Sequence, residues 1–503
     1  MTNMKTTMAT GLLSLLFLVP ALAQKKGTLP EFSLQKAELE AHMRFLASDE
    51  LMGRRTGEQG NLVAARYVAE YFRRYGLTPA PGQSSYMQTV PLEKMGALQK
   101  GTLYVGKDTL QSQKDWILMS GNATDVSAPL VYAGFGLEDA AKGWDDYKEL
   151  DVKGKIVLVQ SGSPDATSPA EIITVSSEKR RLAAQKGAVA LIELFKAPTP
   201  WNFVSKYFSG DRIALAAEGT PVVLPHAWVN GQEAKYTKML RAATDVRLQT
   251  EGRAVQTVNG YNVVAYIEGT DAKLKDEYVL LSAHYDHIGV GKQGGQPYTP
   301  EDSIFNGARD NAFGTVALLA AAEALAQKPP KRSVLLVALT GEEVGLLGSK
   351  YYASHPLLPL KNCIFNLNTD GAGYNDTSVL SVIGLDRTGA RAEIEVASKA
   401  FGLGVVADPA PEQGLFDRSD NVSFAIKGIP APTITPGFRN FDADLMKNYH
   451  QASDNPETID FTYLLTFSQA YTYASRLIAD RAKVPQWIKG DKYEEAAKKL
   501  YGK

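Results

Sequence analysis

The chain has 503 residues, 44% hydrophobic and 22% charged, with a formal net charge of −1. That length exceeds one simple core and predicts two or three domains. Near-neutrality removes the electrostatic case for nucleic acid or an anionic membrane as partner, and basic clusters such as Arg54-Arg55 and Lys179-Arg180-Arg181 read as solvated surface.

The first residues read as a leader. Lys5 gives a weakly positive start, Gly11 to Val19 an apolar stretch, and Ala21-Leu22-Ala23 a small-residue cleavage site. The apolar stretch falls short of the about 20 residues that a membrane span needs, and no later run suffices. Residue 24 is glutamine rather than cysteine, which argues against a lipid anchor. The expectation is export to the periplasm or the medium after cleavage near Ala23, with no stable membrane insertion.

Leu34, Leu39, Met43 and Leu46 recur at helical spacing and predict a helix over 33–48. A second is expected over 61–75, stopped by Gly76 and the Pro/Gly stretch at 79–82. From about residue 100 the texture changes to short β-like runs at 103–105, 130–132 and 156–159, then a helix at 178–186 and a strand at 188–194. This reads as a separate β-rich module.

A strand–helix alternation starts near Asn262: NVVAYIEG, YVLLSAH, the helix TVALLAAAEALAQ, SVLLVALT and CIFNLNTD. Continuous apolar runs with helices between them predict buried parallel strands of an α/β sheet. The only cysteine, Cys363, lies in one of these runs. It excludes an intrachain disulfide and reads as a core residue rather than a nucleophile. A last helix is expected over 463–479, before a charged tail.

Ligands of open α/β sheets bind beyond the carboxyl ends of the strands. Three apolar runs finish there in potential metal ligands: YVLLSAH at His284, SVLLVALT before Glu342 and Glu343, and CIFNLNTD at Asp370. In HYDH, alternation along a continued strand puts His284 and Asp286 on one side, where the carboxylate could fix the imidazole tautomer. His287 could be a further ligand, but reads rather as structural or as a partner outside the ligand set. Asp310 in GARDNAFG precedes a helix and has an N-cap reading as well, and His450 stands in a polar loop. Two metals about 3.5–4 Å apart need one shared carboxylate and an imidazole plus a carboxylate each. His284, Asp310, Glu343, Asp370 and His450 supply that inventory, leaving Glu342 as a base. Mixed nitrogen and oxygen donors suit zinc, with cobalt or manganese as alternatives.

SAHYDH, GARDNAFG, TGEEVGLLGS, NLNTDGAG and YHQASD occur in the order found in the co-catalytic di-zinc aminopeptidase family, which also holds glutamate carboxypeptidases and glutaminyl cyclases. The chain resembles that family over roughly 35–110 and 250–480, GRRTGEQGNLVAARYVAEYF and GIPAP included. The resemblance implies His284 and Asp370 on one zinc, Glu343 and His450 on the other, and Asp310 bridging through a cis Asp310-Asn311 bond. It implies Glu342 as general base and Asp286 as the carboxylate behind His284. Two positions depart from the pattern: Phe313, after Ala312, stands where serine is common, and Asn421 where histidine is frequent.

YAGFG, DVKGKIVLV and AAQKGAVALIEL resemble a protease-associated domain interrupting the peptidase domain. The expected division is a leader at 1–23, peptidase domain at 24–110 and 253–483, insert at 111–252 and tail at 484–503. The expected activity is removal of N-terminal residues from peptides. A glutaminyl cyclase-like acyltransferase and a non-catalytic receptor-like protein are the competing readings.

Overall fold

The computed structural model describes residues 33–97, 100–165, 169–216, 224–295 and 297–502. The leader reading lies outside these residues. Among them, no helix is long and apolar enough to cross a membrane.

The apolar runs of the second half lie in one ten-stranded sheet. Its centre is parallel: Ser333–Leu339, Tyr278–His284, Cys363–Thr369 and Thr433–Pro436 lie side by side in that order. Every residue of these strands is buried, which is why their sequences are continuously apolar instead of alternating. NVVAYIEG departs from expectation. It belongs to a long strand, Val255–Ile267, antiparallel to Ser333–Leu339 and to Met87–Met95. A strand covered on both faces has the same apolar pattern in either direction, so the sheet is mixed although its centre is parallel.

Helices cover both faces. Lys36–Leu46, Gln59–Arg74, Phe313–Gln327 and Phe461–Asp480 share one core with the sheet. Phe313 is fully buried and meets Phe467 edge-on, with centroids 5.1 Å apart. The Asp460 carboxylate caps the last of these helices, accepting from Thr462 N at 2.8 Å and Tyr463 N at 3.0 Å. Tyr352, Phe424 and Trp487 pack on the opposite face. Cys363 is buried there as expected, and burial pushes its thiol up to about 12.

A second sheet of eight strands draws on residues 101–252. One segment of this stretch, Arg212–Leu215, leaves it and pairs antiparallel with Met87–Met95 at the edge of the first sheet. Beside that crossing, Arg253 donates to the carbonyls of Gly96 at 2.7 Å, Phe208 at 2.6 Å and Leu118 at 3.2 Å, tying the two sheets together.

Both basic clusters include a buried member, contrary to the surface reading. Arg54 is 1% exposed and donates to the carbonyls of Leu46, Tyr285, Asn306 and Gly307. Lys179 is fully buried and pairs with Glu193 at 3.0 Å. Burial alone would raise the Glu193 carboxyl. The Lys179 charge, then His226 and Ser176, bring it down to about 2. Lys179→Met would leave that charge uncompensated, so chemical denaturation should show a loss of about 3–5 kcal/mol in the inserted unit.

Candidate metal centre

The double glutamate after the apolar strand is positioned by Asp286. Its carboxylate accepts the backbone N–H of Glu342 at 3.2 Å and of Glu343 at 3.4 Å, and the Thr56 hydroxyl at 2.9 Å. Gly341 turns the chain at φ +74°, and the Glu342 carbonyl accepts from Gly345 N and Leu346 N. The strand ends at His284, so Asp286 is not its next inward residue. The nearest partner of His284 Nδ1 is the Asp286 carbonyl at 3.2 Å, with the carboxylate at 3.7 Å. Donation from Nδ1–H in either direction leaves Nε2 with its lone pair for a metal.

Asp310 is not a helix cap. Its φ/ψ of −117°/96° is non-helical, its bond to Asn311 is cis, and Asn311 Oδ1 is what accepts Gly314 N, at 3.1 Å. Asp454 fixes the loop: its carboxylate accepts from Arg309 N at 3.0 Å and Asp310 N at 3.2 Å. Gly307, at φ +58°, lets this loop pass against the His287 ring, where a Cβ would collide.

The five expected ligands converge in two sets that share Asp310. His284 Nε2 lies 3.1 Å from Asp370 Oδ1 and 3.4 Å from Asp310 Oδ1. His450 Nε2 lies 3.1 Å from both Asp310 Oδ2 and Glu343 Oε2. Donors about 2.0–2.1 Å from one tetrahedral zinc sit about 3.3 Å apart, so these separations and this donor chemistry fit such an ion. His450 adopts φ +53° and stacks on Tyr449 at 4.0 Å. His287 joins the second set, with Nδ1 2.7 Å from Glu343 Oε1. The Ser419 hydroxyl donates to Asp370 Oδ2 at 2.5 Å. Ser419 carried no sequence signal; Asp454 stood in YHQASD without an assigned task.

Charge follows from this crowding. Burial opposes the charge of every member. His284 is nevertheless held well above the ordinary histidine range by Asp370 and Asp286, and His450 is raised to about 10 by Asp310 and Glu343. Glu343 is held well below the carboxylate range by His287 and His450, and Asp370 is lowered by His284 and Ser419. Glu342 goes the other way. Burial, with Asp370 and Glu343 beside it and only His284 opposing, raises it well above 4.5. Its carboxylate makes no hydrogen bond among the described residues and lines the open cleft next to the cluster.

Clustered imidazoles and carboxylates at the carboxyl edge of an α/β sheet, with a separate carboxylate facing the cleft, define a metallohydrolase. Residues 262–474 match the model of peptidase family M28, and residues 126–226 that of the PA domain. The chain is 26% identical to aminopeptidase YwaD of Bacillus subtilis over 72% of its own length and 70% of that protein's. It is 25% identical to the probable leucine aminopeptidase 2 of Aspergillus oryzae, over 76% and 73%. The aminopeptidase from Aneurinibacillus sp. strain AM-1 shares the fold at a TM-score of 0.53 and 22% identity, covering 90% of this chain and 95% of that one. The chain belongs to peptidase family M28 and carries an inserted PA domain.

Proposed function

We propose that the chain is an exported aminopeptidase with two zinc ions. His284 and Asp370 would hold one, Glu343 and His450 the other, and Asp310 both. The observation that carries this reading is the pair of donor sets sharing Asp310, with the unengaged Glu342 carboxylate beside them. Bound zinc would polarise the scissile carbonyl and acidify a water. Glu342 takes the proton of the attacking water and passes it to the leaving amine, a task suited to a carboxyl raised above the ordinary carboxylate range. Asp286 holds both glutamates in place through their backbone N–H groups, and Ser419 and Asp454 orient Asp370 and Asp310. The leader sequence supports export, and the names of the relatives support aminopeptidase action.

The acidic cleft is where a free substrate ammonium would be received. Peptides with a free N-terminus should be cleaved and their N-acetylated counterparts should be poor substrates, as read by mass spectrometry of a matched library. Equal cleavage of blocked and free peptides would sink the exopeptidase reading.

A further inference from the structure

The aminopeptidase reading leaves one charged side chain in the cleft without a task. The cleft lies between the donor cluster and a wall that includes Ile383, Phe438, Phe441 and Leu445. Arg418 is the only arginine or lysine among its described lining residues. Its side chain is exposed, and its guanidinium makes no hydrogen bond or ion pair among the described residues. The other arginines of this half of the chain behave differently. Arg332, Arg387, Arg391, Arg439 and Arg481 each pair with a carboxylate, and Arg253, Arg309 and Arg476 donate to backbone carbonyls.

The backbone carrying Arg418 is nevertheless fixed. Its own N–H donates to Leu415 O at 3.1 Å. The next residue, Ser419, is bonded to Asp370, and Asn421 Nδ2 donates to the carbonyls of Phe416 and Ala431 at 3.1 Å each. The position where histidine is frequent in the family is thus occupied here by an amide that braces the Arg418 loop. Tyr449, stacked on His450, lies within range of the guanidinium charge. A fixed backbone, an unspent planar cation and a place beside the reacting groups describe a recognition element for an anion of the substrate.

We infer that Arg418 is a specificity residue that receives a carboxylate of the substrate, an assignment that rests on the aminopeptidase reading. In peptides that carboxylate has two sources: the side chain of an N-terminal aspartate or glutamate, or the C-terminus of a dipeptide.

Two matched pairs separate them. Glutamyl and glutaminyl anilides differ only in side-chain charge; leucyl-glycine and its C-terminal amide differ only in terminal charge. With zinc-loaded enzyme, kcat/KM should favour the charged member of one pair on the order of tenfold, the worth of a charge-assisted hydrogen bond. Arg418→Gln should bring that ratio close to one, and Arg418→Lys should retain part of it. Because the readout is a ratio within one preparation, a general loss of folding or zinc does not imitate it. Hydrolysis of all four by the wild type with both ratios near one overturns the assignment alone, as does a preference that survives in Arg418→Gln. Hydrolysis of none of the four, nor of leucyl anilide, overturns the aminopeptidase reading and the assignment with it.

Discussion

Glu342→Gln is expected to keep its zinc and its fold while kcat falls by about 10²–10⁴-fold, the range for loss of a general base. The substitution preserves shape and removes only the proton acceptor. Glu342 contributes no donor to either ligand set, and the N–H that Asp286 holds belongs to the backbone, so neither metal content nor the turn should change. Glu343→Gln makes the contrast. Its Oε2 lies 3.1 Å from His450 Nε2, so losing its charge should lower zinc content and activity together. Elemental analysis and turnover on the same preparations decide the matter. A Glu342→Gln enzyme that turns over at the wild-type rate with zinc bound would falsify the assigned role.

Asp310→Ala should be the most damaging change to metal retention. Its two oxygens face different histidines, Oδ1 toward His284 and Oδ2 toward His450. One truncation therefore removes a donor from both sets, whereas Asp370→Ala or His450→Ala removes a donor from one. The wild type should hold about two zinc ions and the variant less than about one after dialysis. Ligands that bind only the folded state stabilise it by RT ln(1 + [L]/Kd). The rise in Tm on adding zinc should accordingly shrink in Asp310→Ala more than in either single-set variant. Equal zinc retention in all three would show that Asp310 is not shared.

Much of this was legible because metal sites leave marks on sequence. His284, the two glutamates and Asp370 each end an apolar run, and parallel neighbours bring such ends to one edge. Other features have no such mark. The antiparallel direction of Val255–Ile267 is hidden because its segment paired with Ser333–Leu339 is buried on both faces, which erases alternation there. Arg54 reads as surface because its partners are four backbone carbonyls, which every residue type supplies. Asp286 was expected to work mainly through the imidazole. The turn that folds the glutamates back over its carboxylate depends on Gly341 and on contacts from the loop after a neighbouring strand, which local spacing does not encode.

The staple made by Asp454 also sets an order of events. The ribosome delivers the chain from its N-terminus, so the strand ending at His284 and the loop of Asp310 emerge long before His450 and Asp454. Until that last loop arrives, the Asp310 backbone lacks the carboxylate that accepts its N–H and the second set of donors lacks His450. On the proposed reading, a nascent chain that has not yet delivered His450 and Asp454 would therefore be a hydrolase without a working centre. Its cutting power would then be withheld by the direction of synthesis itself.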